Sequence, residues 1–114
     1  MAKNMRTSGA SRRAGWSSPM GRNRTARGGS FTAEQKNAVW AKGRVIEGYD
    51  PRIWRYDWYG TPMKYTEYGN TGSKHGWEID HIRPVTRGGS DAMSNLQPLQ
   101  WVNNRNKGNT WPWP

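Results

Sequence analysis

The chain has 114 residues, a length that suits one domain. It carries 18 Lys and Arg against 8 Asp and Glu, a formal charge of +10, which points to a polyanionic partner such as DNA or RNA; a membrane surface or plain solubility are the blander readings. It has no cysteine, so disulfides and thiolate-bound zinc are excluded, and no apolar run approaches the ~18 residues of a membrane span.

Residues Met1 to Ser30 hold seven of the basic residues, no acidic one, and repeated Gly and Ser. Such a segment buries too little apolar surface to offset its ordering entropy. It reads as a flexible basic arm, serving either phosphate binding or solubility. It lacks the apolar core of a secretory signal.

Thr32-Ala33-Glu34-Gln35 has the spacing of a capping box, with Thr32 as N-cap. A short helix should run from there through Lys42 and stop at Gly43. Arg44 to Asp50 reads as a loop, and Asp50-Pro51 as a turn. Ile53 to Tyr59 and Met63 to Tyr68 are aromatic-rich, separated by Gly60-Thr61-Pro62, a hairpin pattern. With 8 Trp and 5 Tyr, rings must build much of the core. Tyr68 to Gly76 is a polar loop, in which His75 reads as a loop residue rather than a second base. Trp77 to Ile82 reads as a strand whose regular pairing ends at Arg83-Pro84. Gly88-Gly89 turns the chain, Asn95 to Leu99 is a second extended piece, and Gln100 to Lys107 a helix closed by Gly108. The fold class is a small α+β domain ending in a strand, loop, strand, helix unit.

Asp80 and His81 are the chain's only adjacent Asp-His pair. Asp80 offers a hard oxygen ligand and His81 a base that titrates near neutrality. Asn104, on the last helix, offers a second oxygen. A carboxylate and an amide oxygen, completed by water and substrate phosphate, suit Mg²⁺ better than zinc. Such an ion stabilises a leaving oxygen on phosphorus, while a neutral His takes a proton from water. Strand alternation sends Asp80 and His81 to opposite faces, so they would flank a phosphate at the strand end, where Pro84 breaks the pleat. Trp101, Asn104 and Lys107 share a helical face, which favours Asn104 as the ligand over Asn103 or Asn106. Glu78 falls on Asp80's face, where it could support the site, though alternation gives it no more than that shared face; a solvent-exposed carboxylate is expected there.

Ile79-Asp80-His81-Ile82-Arg83-Pro84, Gly88-Gly89-Ser90-Asp91, Asn95-Leu96-Gln97-Pro98-Leu99 and Asn104-Arg105-Asn106-Lys107-Gly108 stand in an order and spacing that resemble the HNH endonucleases of the ββα-metal (His-Me finger) superfamily. The resemblance implies an HNH domain over residues 31–114, with its core motif at 77–109. It implies His81 as general base, Asp80 and Asn104 as metal ligands, and Asn95 as the residue that braces the loop and helps orient the His. Lys107 becomes a candidate phosphate contact, with Arg105, Arg83 and Arg87 as further nucleic-acid-binding cations. Many members carry two Cys-x-x-Cys pairs around a structural zinc; here Gln100 and Asn103 stand where the second pair would fall. No structural zinc is therefore expected, and the aromatic segment must hold the motif by packing. The implied activity is Mg²⁺- or Mn²⁺-dependent cleavage of DNA in a cytoplasmic, phage or mobile-element setting. The alternatives are a non-catalytic nucleic-acid-binding protein on the same scaffold and a nuclease toxin acting on DNA or RNA.

Overall fold

The computed structural model describes residues 22–112. Helix α1 spans Ala33–Trp40 and opens with the expected capping box: Gln35 N–H donates to Thr32 Oγ1 (3.1 Å), and Thr32 N–H to Gln35 Oε1 (2.9 Å). It ends two residues before the expected Lys42, and Gly43 turns back onto Trp40. A Cβ at Gly43 would stand 2.9 Å from the Cβ of Arg55, so a side chain there would push the next sheet away.

That sheet has three antiparallel strands in the order β1 (Arg44–Val45), β2 (Trp54–Tyr56), β3 (Pro62–Lys64), with Arg55 opposite Met63. The hairpin is where the aromatic pattern puts it, though its strands are shorter than expected and Tyr65–Glu67 is a 3-10 turn. Strand β1 corrects the reading of Arg44 to Asp50 as loop throughout. It has two exposed residues, so it lacks the alternation that marks a half-buried strand.

The second sheet pairs β4 (Trp77–His81) with β5 (Leu96–Gln100), antiparallel, with Asp80 opposite Gln97 and His81 opposite Leu96. Helix α2 (Trp101–Lys107) follows directly, capped by Gln100, whose side chain accepts from the N–H groups of Val102 and Asn103. Between the strands, Gly88 has φ 89°, and a Cβ on Gly89 would stand 1.7 Å from Arg83 O, so both glycines are required by the turn.

The core lies between α1 and the two sheets. Phe31, Val39, Trp40, Met63, Trp77, Ile79 and Leu96 form one buried cluster, edged by Tyr65, Tyr68 and Met93. Trp77 sits at its centre, with ring centroids 5.0 Å from Trp40 and 4.8 Å from Tyr68. The indole N–H groups of Trp40 and Trp77 donate to Pro51 O and Tyr65 O, so burial leaves neither unpaired. His75 packs edge-on to Trp54, 4.9 Å between centroids, with Nδ1 beside Pro62 O.

Residues 1–21 of the expected arm lie outside the described residues. Its remainder, 22–30, is seated on the domain. Asn23, at φ 60°, accepts a hydrogen bond from Ile79 N–H (2.8 Å), and Ala26 N–H donates to both oxygens of Asp91 (2.9 and 3.1 Å). Composition hid this, because the contacts are single polar bonds rather than apolar burial. No helix among the described residues is long and apolar enough to cross a membrane.

Candidate active site

Alternation along β4 sends Trp77 and Ile79 into the core and turns Glu78 and Asp80 toward α2. The helix meets them in two rungs. Asn104 Nδ2 donates to Glu78 Oε1 (2.9 Å), and Lys107 Nζ lies 3.3 Å from Asp80 Oδ1. Residues two apart on the strand thus face residues three apart on the helix.

All four side chains are buried: Glu78 is 5% exposed, Asp80 7%, Asn104 3% and Lys107 1%. The expectation of a solvent-exposed Glu78 is therefore corrected. Its partner comes from a helix 26 residues away, which alternation along one strand cannot reveal. Asp80 Oδ2 also accepts from Gln97 Nε2 (2.9 Å), its cross-strand neighbour. Burial pushes the Asp80 carboxyl above its usual value, against the opposing pull of Gln97, then Lys107. Burial likewise pushes Glu78 up, opposed by the bond from Asn104 and by the charges of Arg105 and Arg22.

His81 ends β4 on the opposite face, against Phe31. Its Nε2 is 2.7 Å from Asp91 Oδ1, and Asp91 is itself fixed by Ala26 N–H. Asn95 ties the loop between the strands: its Oδ1 accepts from Arg83 N–H, and its Nδ2 donates to Arg83 O (3.1 Å) and Ser90 O (2.8 Å). Lys107 also donates to His81 O (3.0 Å), so its ammonium is turned inward. Arg83, Arg87 and Arg105 lie at the surface. The guanidinium of Arg83 stacks over Trp111, and that of Arg105 over Trp101.

The start of α2 is held by Asp57, from the turn of the aromatic hairpin. Its Oδ2 accepts from Gln100 N–H (3.0 Å) and Asn103 Nδ2 (2.8 Å), and its Oδ1 from the N–H groups of Tyr59 and Thr61 (2.9 Å each). The two positions at which the resemblance places thiolates in other members, Gln100 and Asn103, are thus bridged by one carboxylate, 4% exposed. Asp57, Asp91 and Gln97 were not singled out in the sequence. A lone acid within the aromatic run was the available signal for Asp57; Asp91 and Gln97 gave none beyond their place in the motif.

Residues 71–113 match a family model described as HNH endonuclease. The HNH match takes in β4, the loop, β5 and α2. No curated protein and no solved structure was found to match the chain.

The donor set can be tested against the divalent ion that HNH resemblance implies. Among the described residues no three His, Cys, Asp or Glu converge as a ligand cluster. Asn104 Oδ1, though buried, accepts no hydrogen bond within the described residues, and the Asp80 carboxylate retains lone pairs beyond the two bonds it accepts. Two hard oxygens, one of them lacking a protein partner, fit an ion such as Mg²⁺ that keeps most of its shell as water and phosphate.

Proposed function

We propose that this protein is a metal-dependent endonuclease that hydrolyses phosphodiester bonds in DNA. The observation that carries the reading is the HNH match over a strand-loop-strand-helix unit whose strand end bears Asp80 and His81 on opposite faces.

His81 acts as the general base. With the Asp91 carboxylate accepting at Nε2, that nitrogen carries the proton, and Nδ1 keeps the lone pair that removes a proton from water. Asp91 holds this tautomer and stabilises the imidazolium that forms, the orienting role of a carboxylate behind a catalytic His. The water oxygen bonds to phosphorus as the opposite P–O bond breaks. Asp80 and Asn104 would hold a divalent ion, which supplies charge stabilisation to the leaving oxygen. Asn95 fixes the loop that carries Asp91 relative to the strand that carries His81.

Arg83, Arg87 and Arg105 supply phosphate contacts at the surface. Lys107 serves inside the site, its charge offsetting the buried carboxylate of Asp80. Beside Gln97 runs a groove of about 430 Å³ walled by Lys42, Arg44, Tyr56 and Trp58. Trp58 is 69% exposed and the Arg44 guanidinium stacks on Tyr56, so cationic and ring surface stand together, as a nucleic-acid strand requires.

The test is incubation with matched DNA and RNA, with Mg²⁺ added or chelated. Mg²⁺-dependent cuts in DNA support the proposal. Cuts confined to RNA would make the protein a ribonuclease, and a mobility shift without cleavage would make it a binding protein.

A further inference from the structure

The pairing of Glu78 with Asn104 bears on how the proposed ion is held. An asparagine amide is chemically two-ended, with similar shapes at its oxygen and its nitrogen. Against a carboxylate only the NH₂ end makes a hydrogen bond; the oxygen end would be repelled. Glu78 Oε1 receives that NH₂ at 2.9 Å, with both residues buried and out of competition with water. The amide oxygen is then turned away from Glu78, and it accepts no bond from any described residue.

We propose that Glu78 is a positioning residue: it fixes the side-chain amide of Asn104 so that Oδ1 is presented as the second oxygen ligand of a divalent cation beside Asp80. The inference rests on the metal-dependent reading above and adds the residue that orients a ligand without touching the ion. Partners that orient metal ligands in this way typically contribute ~10–100-fold to affinity.

The probe is Mn²⁺ alone, its binding to the full chain followed by electron paramagnetic resonance without DNA. Melting curves on the same samples confirm that each variant is folded. Glu78→Ala leaves the Asn104 amide free to rotate and should weaken Mn²⁺ binding ~10–100-fold, as should Asn104→Ala. Glu78→Gln keeps an acceptor oxygen at the same reach and should bind Mn²⁺ much as wild type does. Glu78→Asp keeps the charge but falls short by one methylene, so it should behave like Glu78→Ala. It takes that variant's place should the latter fail to fold. In nicking assays the Mn²⁺ concentration for half-maximal rate should rise in the weak binders, while the rate at saturating Mn²⁺ recovers.

Wild-type Mn²⁺ affinity in Glu78→Ala or Glu78→Asp overturns the assignment. Equal loss in Glu78→Gln and Glu78→Ala overturns it too, because Glu78 would then act through its charge or as a direct ligand. Absence of Mn²⁺ binding by the wild type overturns both this inference and the metal-dependent reading beneath it.

Discussion

Replacing Asp57 with alanine tests what holds the last helix in place. The substitution removes the acceptor of Gln100 N–H and of the N–H groups of Tyr59 and Thr61, and one of the two acceptors of Asn103 Nδ2, which keeps Thr61 Oγ1 at 3.0 Å. The two turn donors can take up water. Of the two that reach α2, the Gln100 bond is buried and the Asn103 bond part-buried; hydrogen bonds to a charged group contribute about 1.5–3 kcal/mol each, so the loss should be about 3–6 kcal/mol. Against a total stability of about 5–15 kcal/mol, and at about 4–8 °C per kcal/mol for a domain of this size, the melting temperature should fall by at least about 12 °C. Asp57→Asn, which keeps the shape and one acceptor oxygen, should fall between the two and covers the case in which the alanine variant does not fold. Chelation makes the contrast. An ion held by two protein ligands stabilises the fold by only about 0.4 kcal/mol at its Kd, so EDTA should leave the wild-type melting curve nearly unmoved. Thermal melts and urea titrations of the three proteins, with and without EDTA, decide the matter. A shift of under about 1 kcal/mol in Asp57→Ala, or collapse of the wild type in EDTA, would refute the reasoning.

Asp91→Asn should lower the rate of cleavage by about 10²–10⁴ with little change in DNA affinity, because the amide no longer enforces the His81 tautomer; single-turnover nicking and band shifts would measure both. Deleting residues 1–21 removes four cations and should make the salt dependence of DNA binding shallower, by up to ~0.9 log units per lost phosphate contact. Deleting 1–30 should in addition lower the melting temperature, since the bonds of Asn23 to Ile79 and of Ala26 to Asp91 go with it. Burial raises the folded-state pKa of Glu78 above its ordinary 4.5, so the contribution of this group to stability is fully present below that value and is lost as pH rises through the folded value. Glu78→Gln should therefore melt above wild type at neutral pH, with the gap closing toward pH 4; a gap independent of pH would contradict this.

The local signals in the sequence were readable where one short segment determines the geometry. The capping box of Thr32 and Gln35, the Gly88-Gly89 turn, and the strand and helix on either side of the motif all depend on neighbouring residues. So did the opposition of Asp80 and His81, which follows from strand alternation alone. What the sequence hid are the pairings between distant segments. Glu78 reads as exposed until α2 brings Asn104 over it. Lys107 reads as a candidate phosphate contact, and the sequence gives no sign that its ammonium lies against Asp80 and His81 O. Asp57 lies 43 residues before the amide it accepts from, and Asp91 gains its anchor from Ala26, 65 residues earlier. Each hidden feature is a buried or part-buried polar bond, whose partners periodicity and propensity do not specify.

The central claim is that His81 activates water for metal-dependent cleavage of DNA. Supercoiled plasmid incubated with wild type or His81→Ala, in Mg²⁺ or EDTA, tests it most directly when DNA binding is measured in the same samples. The account predicts that nicked product forms with wild type in Mg²⁺, about 10²–10⁴ faster than with His81→Ala, while both proteins retard the DNA equally. Equal cleavage by the two proteins, or wild-type cleavage that persists in EDTA, would contradict it.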